Sequence, residues 1–370
     1  MATIRPSVVI IGGGGGPYLV GTGLRNNDVD LTIISTPADN GGSSGRIRGE
    51  FGQVLPPGDL RRGLMALMES EEDRAFFDER FDDSLFTDGK KQLGDHSLGN
   101  ILILGAQKRN KSIIGGLEYL SRKFDVRGKV YPMSADHTHL HASLSDGKEL
   151  KSETEIDTRS IADESTIVRA WLQPQAFICR QAADAIRAAD FIIIGPGDPY
   201  SSLIANLLVN GARQALAESN ARIICVANLM DKPAESRGFS VADFLDLLLQ
   251  YDIGRPKFDA CVVNSTRIPR KLLSKYRAEE KSNPILIKKN EMARLHELVN
   301  VIHTTDILSE EASRRGYIRH DSQKLAHALM EVMRMHDRVG SITHAGDTLL
   351  ARKLQKQEEL MPNVSPRGKG

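Results

Sequence analysis

Short apolar runs recur along the chain, and stretches of helical periodicity separate them. Residues 7–11 (SVVII), 29–35 (VDLTIIS), 189–197 (ADFIIIGPG), 222–228 (RIICVAN), 258–264 (FDACVVN) and 299–303 read as strands. They are apolar throughout instead of alternating, which marks strands buried on both faces. Helical spacing falls at residues 60–69, 72–81, 98–108, 111–124, 182–189, 203–217, 241–251 and 324–335. Strands alternating with helices predict an α/β fold: a doubly wound, mostly parallel sheet with helices on both faces. Residues 128–133 and 139–145, a turn at Asp146-Gly147 and residues 148–154 read as a small β-rich insertion spanning about 128–172. No internal repeat or low-complexity linker divides the chain. One large domain over residues 1–345 is expected, with residues 346–370 as a charged helix and tail.

Glycine and proline loops follow several of these strands, where open parallel sheets bind ligands. Strand 7–11 runs into five glycines, of which Gly13, Gly14 and Gly16 are expected to touch a ligand through close backbone approach. The dinucleotide fingerprint G-x-G-x-x-G fails here, because the sixth position is Pro17, Tyr18 or Leu19, and no P-loop lysine follows. The stretch 34–62, ISTPADNGGSSGRIRGEFGQVLPPGDLRR, reads as a long functional loop. Within ten residues it offers Asp39, Asn40, Gly41, Gly42, Ser43, Ser44, Arg46 and Arg48. Converging amides, hydroxyls and guanidinium forks suit phosphate or carboxylate. Asp59 is placed to cap a helix starting at residue 60. A second loop, Gly195-Pro196-Gly197, leads to Tyr200, Ser201 and Ser202. The two serines are N-cap candidates for helix 203–217, whose first amides would form a second anion site. His96 precedes another helix start and could donate to an anion there.

Composition removes several function classes. There are 49 basic and 48 acidic residues and only 5% aromatics, which argues against nucleic acid as a partner. Cys179, Cys225 and Cys261 are far apart in apolar surroundings and read as reduced thiols. No window approaches the ~18 apolar residues of a membrane span, and the N-terminus lacks a signal-peptide pattern, so a cytoplasmic protein is expected. His137, His139 and His141 share a strand face, but the outer pair lies roughly 13 Å apart, too far to share one zinc.

Six motifs then appear in a fixed order: ADNGGSSGRIR (38–48), PPGDLR (56–61), HSLGN (96–100), IIIGPGDPYSS (192–202), ANLMDKPAESRGFS (227–240) and IRHD (318–321). Together they resemble the gluconeogenesis factor family, a branch of the superfamily that includes 2-phospho-L-lactate transferase. The resemblance covers residues 7–335. It implies a Rossmann-like core and a small-molecule partner, a nucleotide or nucleotide-linked sugar such as UDP-N-acetylglucosamine. It also implies a role in carbon metabolism, cell shape or envelope precursor control. Arg61, Asn100 and Asn228, which lie within these motifs, are further ligand-site candidates, and with Asp321 or Ser322 capping the closing helix Arg319 is left free to reach across the cleft mouth. Asn40, Ser97, Asp198 and the five-glycine run with Pro17 depart from the common pattern, and Asp198 brings a negative charge beside the expected phosphate site.

Two functions follow: a nucleotide sensor without turnover, and a magnesium-dependent transferase acting on a nucleotide-activated phospho-acid. In the second, Asp39 and Asp59 would hold magnesium. Asp39, Asp59 and His96 are the candidates for catalysis, and spacing assigns none of them a partner. No metal site is assigned outright. The sensor is the favoured reading, with a homodimer as the assembly to test.

Overall fold

The structure is a computed structural model that describes residues 5–51, 55–81, 96–160 and 162–335. Seven strands form one parallel sheet: β1 (Ser7–Gly12), β2 (Asp30–Ser35), β3 (Lys129–Pro132), β7 (Phe191–Ile194), β8 (Arg222–Val226), β9 (Phe258–Asn264) and β10 (Val299–Thr305). Their order is β10-β9-β8-β7-β1-β2-β3. From β1 the chain steps outward through β2 to β3, then returns to β7 on the other side of β1 and steps outward again. The order therefore reverses between β1 and β7. Such a switch point opens a crevice at the carboxyl ends of the two strands.

The apolar runs are explained by two cores, one on each face of the sheet. Val9, Ile11 and Ile34 point into one, with the helices Arg180–Ala188 and Val241–Gln250. Val8, Ile10 and Ile33 point into the other, with the helices Gly15–Leu24, Pro57–Leu67 and Ser322–Met335. The two halves of the sheet are locked in register by pairs such as Ile10↔Ile33 and Ile10↔Ile193. Cys179, Cys225 and Cys261 are unbridged, as expected. Among the described residues no helix is long and apolar enough to cross a membrane.

Several expectations need correction. Residues 128–133 do not belong to the insertion: β3 pairs with β2 at the edge of the main sheet. The insertion is a separate antiparallel sheet, β5-β4-β6, of β4 (His139–Leu144), β5 (Glu149–Leu150) and β6 (Ile167–Gln173). A short helix, Glu153–Asp157, follows β5. Leu140, Ala142 and Leu144 face the core, which leaves His139 and His141 on the outer face. His137 meets His139 edge to face and His141 packs at a tilt against Trp171, so the histidine row is a packed surface. Residues 203–217 are not one helix. A π-helical turn, Pro199–Ile204, and the short segment Ala205–Leu207 are followed by a separate helix, Ala212–Glu218. The chain breaks at Gly211, which takes a φ of 91°. Residues 42–51 are not a loop but the helix Gly42–Phe51, anchored by fully buried Ile47. The tail expected at 346–370 lies outside the described residues.

Candidate functional site

The crevice at the switch point is built by the two glycine loops. Gly14 takes a φ of 63°, which turns the chain from β1 into its helix. Gly16 packs directly against the other loop: a Cβ there would lie 1.7 Å from the Pro196 carbonyl oxygen, so only glycine allows this approach. Two cavities flank the contact. The first, about 540 Å³, is lined by Gly14, Asp39, Gly41, Ser43, Ser44, Asp59, Arg61, Asn100, Ser201 and Ser202. Each of these was expected at the site. Thr36, Gly58, Arg62, Arg80, Glu153, Asp157 and Asp198 complete it. The second, about 410 Å³, is lined by Gly16, Pro196, Gly197, Asn228 and Arg319, together with Met230, Lys232, Tyr276 and His320. Asp198 borders both. A larger cavity of about 850 Å³ lies by the amino ends of the strands, at Ser7, Asp30 and Lys129. Sheet polarity places ligand chemistry at the opposite end.

The first loop is held open by its own side chains. Asp39 Oδ1 accepts from the Gly41 amide at 2.9 Å. Ser44 Oγ accepts from the Gly58 amide at 3.1 Å, joining the helix Gly42–Phe51 to the Pro56–Asp59 turn. Asn40 is a structural tie: its Oδ1 accepts from the Thr154 amide at 2.9 Å and hydroxyl at 3.0 Å, docking the insertion's helix on the loop. Ser43 Oγ lies 2.8 Å from His96 Nδ1 and accepts from Asn100 Nδ2 at 2.9 Å. His96 is buried and reaches the cavity through Ser43. Gly13 sits under the site, where a Cβ would meet Asp59 Oδ2 at 3.0 Å. Arg46 is exposed on the helix and lines neither cavity. The Arg48 side chain lies outside the described residues.

Asp59 does not cap a helix. The helix begins at Pro57 after Pro56, leaving Asp59 buried in its first turn with Arg62 Nη1 at 3.2 Å. Burial and nearby Asp39 push the Asp59 carboxyl up to about 6, against the pull of Arg62 and the Gly14 amide. Burial and Asp39 likewise push Glu153 up to about 7. Arg61 is buried, with Nη1 on Asp78 and 3.3 Å from Met65 Sδ. The chamber is therefore lined by both charges, the arginines Arg61, Arg62 and Arg80 and the carboxyls of Asp39, Asp59, Glu153, Asp157 and Asp198.

The expected second anion site is filled from within. Tyr200 and Ser201 donate their amides to Glu235 Oε2 at 2.8 and 3.1 Å, and the Ser201 hydroxyl donates to Oε1 at 2.7 Å. Glu235 thus does there what a bound anion would do. Ser201 and Ser202 lie inside the π-helical turn and are not its caps. Asn228 is spent on the backbone, pairing both ends of its amide with Gly197 at 2.9 and 2.8 Å. Asp157, Asp198 and Glu235 bring carboxylate oxygens within 4.8 Å of one another, the one such group of possible metal ligands among the described residues. The cation among them is the Lys232 ammonium, paired with Asp157 and 2.6 Å from Asp198. Burial and the neighbouring Glu235 and Glu153 push Asp198 upward, while Arg319 and the close ammonium oppose this. Burial also lowers His320 to about 4, its Nε2 lying 3.3 Å from the Ala227 carbonyl oxygen.

Glu153, Asp157, Lys232 and Glu235 were missed from the sequence as site residues. Lys232 and Glu235 sit inside the motif 227–240, so their position was visible but their task was not. The insertion's two acids carried no sequence signal.

Comparison with known proteins bears on this geometry. The family model described as 2-phospho-L-lactate transferase CofD matches residues 8–307. The gluconeogenesis factor of Halalkalibacterium halodurans is 33% identical over 329 residues, spanning 88% of this chain and 96% of that one. A relative from Nostoc sp. named "Putative gluconeogenesis factor" is 35% identical over 328 residues, 88% of this chain and 68% of that one. A crystal structure of a UPF0052 family member from Bacillus halodurans superposes with a TM-score of 0.78 at 31% identity, covering 89% of this chain and 100% of that one.

Proposed function

This chain belongs to the gluconeogenesis factor family, within the 2-phospho-L-lactate transferase CofD group, and from that premise we propose that its 540 Å³ chamber binds a phosphate-bearing nucleotide. The ligand class is a nucleotide sugar of the UDP-sugar kind or a dinucleotide. One observation carries this reading. Arg61 Nε, Asn100 Oδ1 and Glu153 Oε2 all belong to chamber-lining residues, are buried, and make no hydrogen bond among the described residues. Each such group costs about 1–3 kcal/mol. Gathered at one chamber, they call for a ligand with both acceptors and donors: phosphate oxygens for Arg61, sugar or base hydroxyls and amides for Asn100 and Glu153. Arg62 and Arg80 add further guanidinium forks to the lining.

Magnesium fits the same site. Asp39 and Asp59 face one chamber, and two neighbouring carboxyls are the oxygen donors that magnesium takes. Those two residues would hold the ion, which would neutralise the ligand's phosphates. This pair is also what favours the second reading, a magnesium-dependent transferase of the 2-phospho-L-lactate type, since phospho-group transfer proceeds largely by positioning and charge. The binding role remains the first reading, in a cytoplasmic factor tied to carbon metabolism, cell shape and envelope precursors.

Titration calorimetry with UDP-N-acetylglucosamine, GDP, NAD and magnesium tests it. Saturable heat from at least one nucleotide, lost in Arg62→Ala, is expected. Absence of heat across the whole panel overturns the reading.

A further inference from the structure

Ser43 stands in the first turn of the helix Gly42–Phe51 and faces the chamber. Its hydroxyl has two partners of opposite kinds. The Asn100 amide nitrogen can only donate, so it occupies a lone pair of Oγ at 2.9 Å. The hydroxyl proton then points to His96 Nδ1, 2.8 Å away, which accepts when the imidazole carries its own proton on Nε2. A hydroxyl bound to an imidazole nitrogen, with the oxygen open to a ligand chamber, is the relation of an activated nucleophile to its base. The surroundings suit a phosphate electrophile. Arg62 and Arg80 line the same chamber, the helix presents its positive end, and Asp39 and Asp59 are placed for a cation.

We propose that Ser43 is a nucleophile that takes a phosphoryl group from a phosphoanhydride bound in the chamber, with His96 as its base. The inference rests on the chamber's binding a nucleoside diphosphate or a derivative of one. In the step, Oγ forms a bond to the terminal phosphorus as the bridging P–O bond breaks. The electron pair of that bond stays on the bridging oxygen, which leaves as part of the nucleoside monophosphate. The hydroxyl proton passes to His96 Nδ1 and from there to solvent. Transfer of the group from Ser43 to water or to an acceptor hydroxyl would complete a double displacement. The imidazole that sequence spacing left without a partner is thereby given one.

The test incubates the full chain with GDP and magnesium chloride, quenches in acid, and maps the modified peptide by mass spectrometry while GMP release is followed. One phosphoryl group on Ser43, matched by one GMP per chain in the first turnover, is the expected result. His96→Gln should slow labelling on the order of 10²–10⁴-fold, the range for a lost general base, while its melting curve reports whether it folds. Nucleotide binding heat with an unmodified Ser43, or label on a different residue, overturns the proposal and leaves the binding role standing. Labelling of His96→Gln at the wild-type rate removes His96 from the role of base. Absence of binding heat defeats both readings together. The mapping on the unaltered protein decides the matter even where a variant fails to fold.

Discussion

Glu235 grips Ser201 twice: Oε1 takes the hydroxyl at 2.7 Å and Oε2 takes the amide at 3.1 Å. With the Tyr200 amide also on Oε2, three donors converge on one buried carboxylate. The π-helical turn after β7 is thus held by an internal anion from the segment 227–240.

Removing that carboxylate strands the donors. Glu235→Ala should lower the unfolding free energy by about 2–3 kcal/mol, the scale for buried donors left without an acceptor. Urea denaturation read by circular dichroism checks this, and a shift under about 0.5 kcal/mol would contradict it.

Lys232 holds a different balance. Its ammonium joins Asp157 of the insertion to Asp198 of the core, beside buried Glu235 at 3.8 Å. Lys232→Met leaves three carboxylates facing one another. The melting temperature should fall at pH 8 and fall less at pH 5, where protonation relieves the repulsion. Calcium or magnesium should restore more stability to the variant than to the parent. Equal losses at both pH values would show that the ammonium does not screen these acids.

Arg319 lines the second cavity, and its Nη1 donates locally to the Ile318 carbonyl oxygen at 2.9 Å. Asp321 Oδ1 accepts from the Gln323 and Lys324 amides, each at 3.0 Å, so the cap of the closing helix does not depend on Arg319. A nucleotide that extends from the chamber past Asp198 into this second cavity meets Arg319, so Arg319→Ala should keep its melting temperature and lose about 1.5–3 kcal/mol of nucleotide affinity. Arg319→Lys should recover only part of the loss, because an ammonium cannot copy the guanidinium fork. Full affinity in the lysine variant, measured by calorimetry, would remove Arg319 from the ligand site.

The parallel core was legible because its strands are buried on both faces and so print continuous apolar runs; β9 has the bounds its sequence suggests, Phe258–Asn264. The placement of β3 was not legible, since a strand's partner is chosen by non-local pairing, here with β2. Apolar periodicity runs on through Leu208–Gly211, and the break there is set by backbone conformation at one glycine. The helix Gly42–Phe51 was hidden for the opposite reason: its glycines and serines oppose helix formation, and burial of Ile47 overrides them. The loops of the site could be read from donor density alone. The added carboxyls could not, because Glu153 and Asp157 arrive from the insertion through the contact of Thr154 with Asn40.

The Asp39–Asp59 pair sets a pH dependence with a definite sign. Burial and Asp39 raise Asp59 from 3.8 to about 6 in the folded state. Between those values the folded chain holds a proton that the unfolded chain has released. The contribution of Asp59 to stability is thus lost as pH rises from about 4 to 6, by at most about 3 kcal/mol, and stays lost above. Glu153, raised to about 7, acts in the same direction. His320, lowered to about 4, acts in the opposite one, because the unfolded imidazole takes its proton first as pH falls. The difference between parent and Asp59→Asn isolates the pair: the variant should gain on the parent as pH rises through 4 to 6. Magnesium needs the ionised carboxylates, so it should raise the melting temperature at pH 8, do little at pH 5, and do little at either pH in Asp59→Asn. A magnesium shift as large in that variant as in the parent would place the ion elsewhere in the molecule.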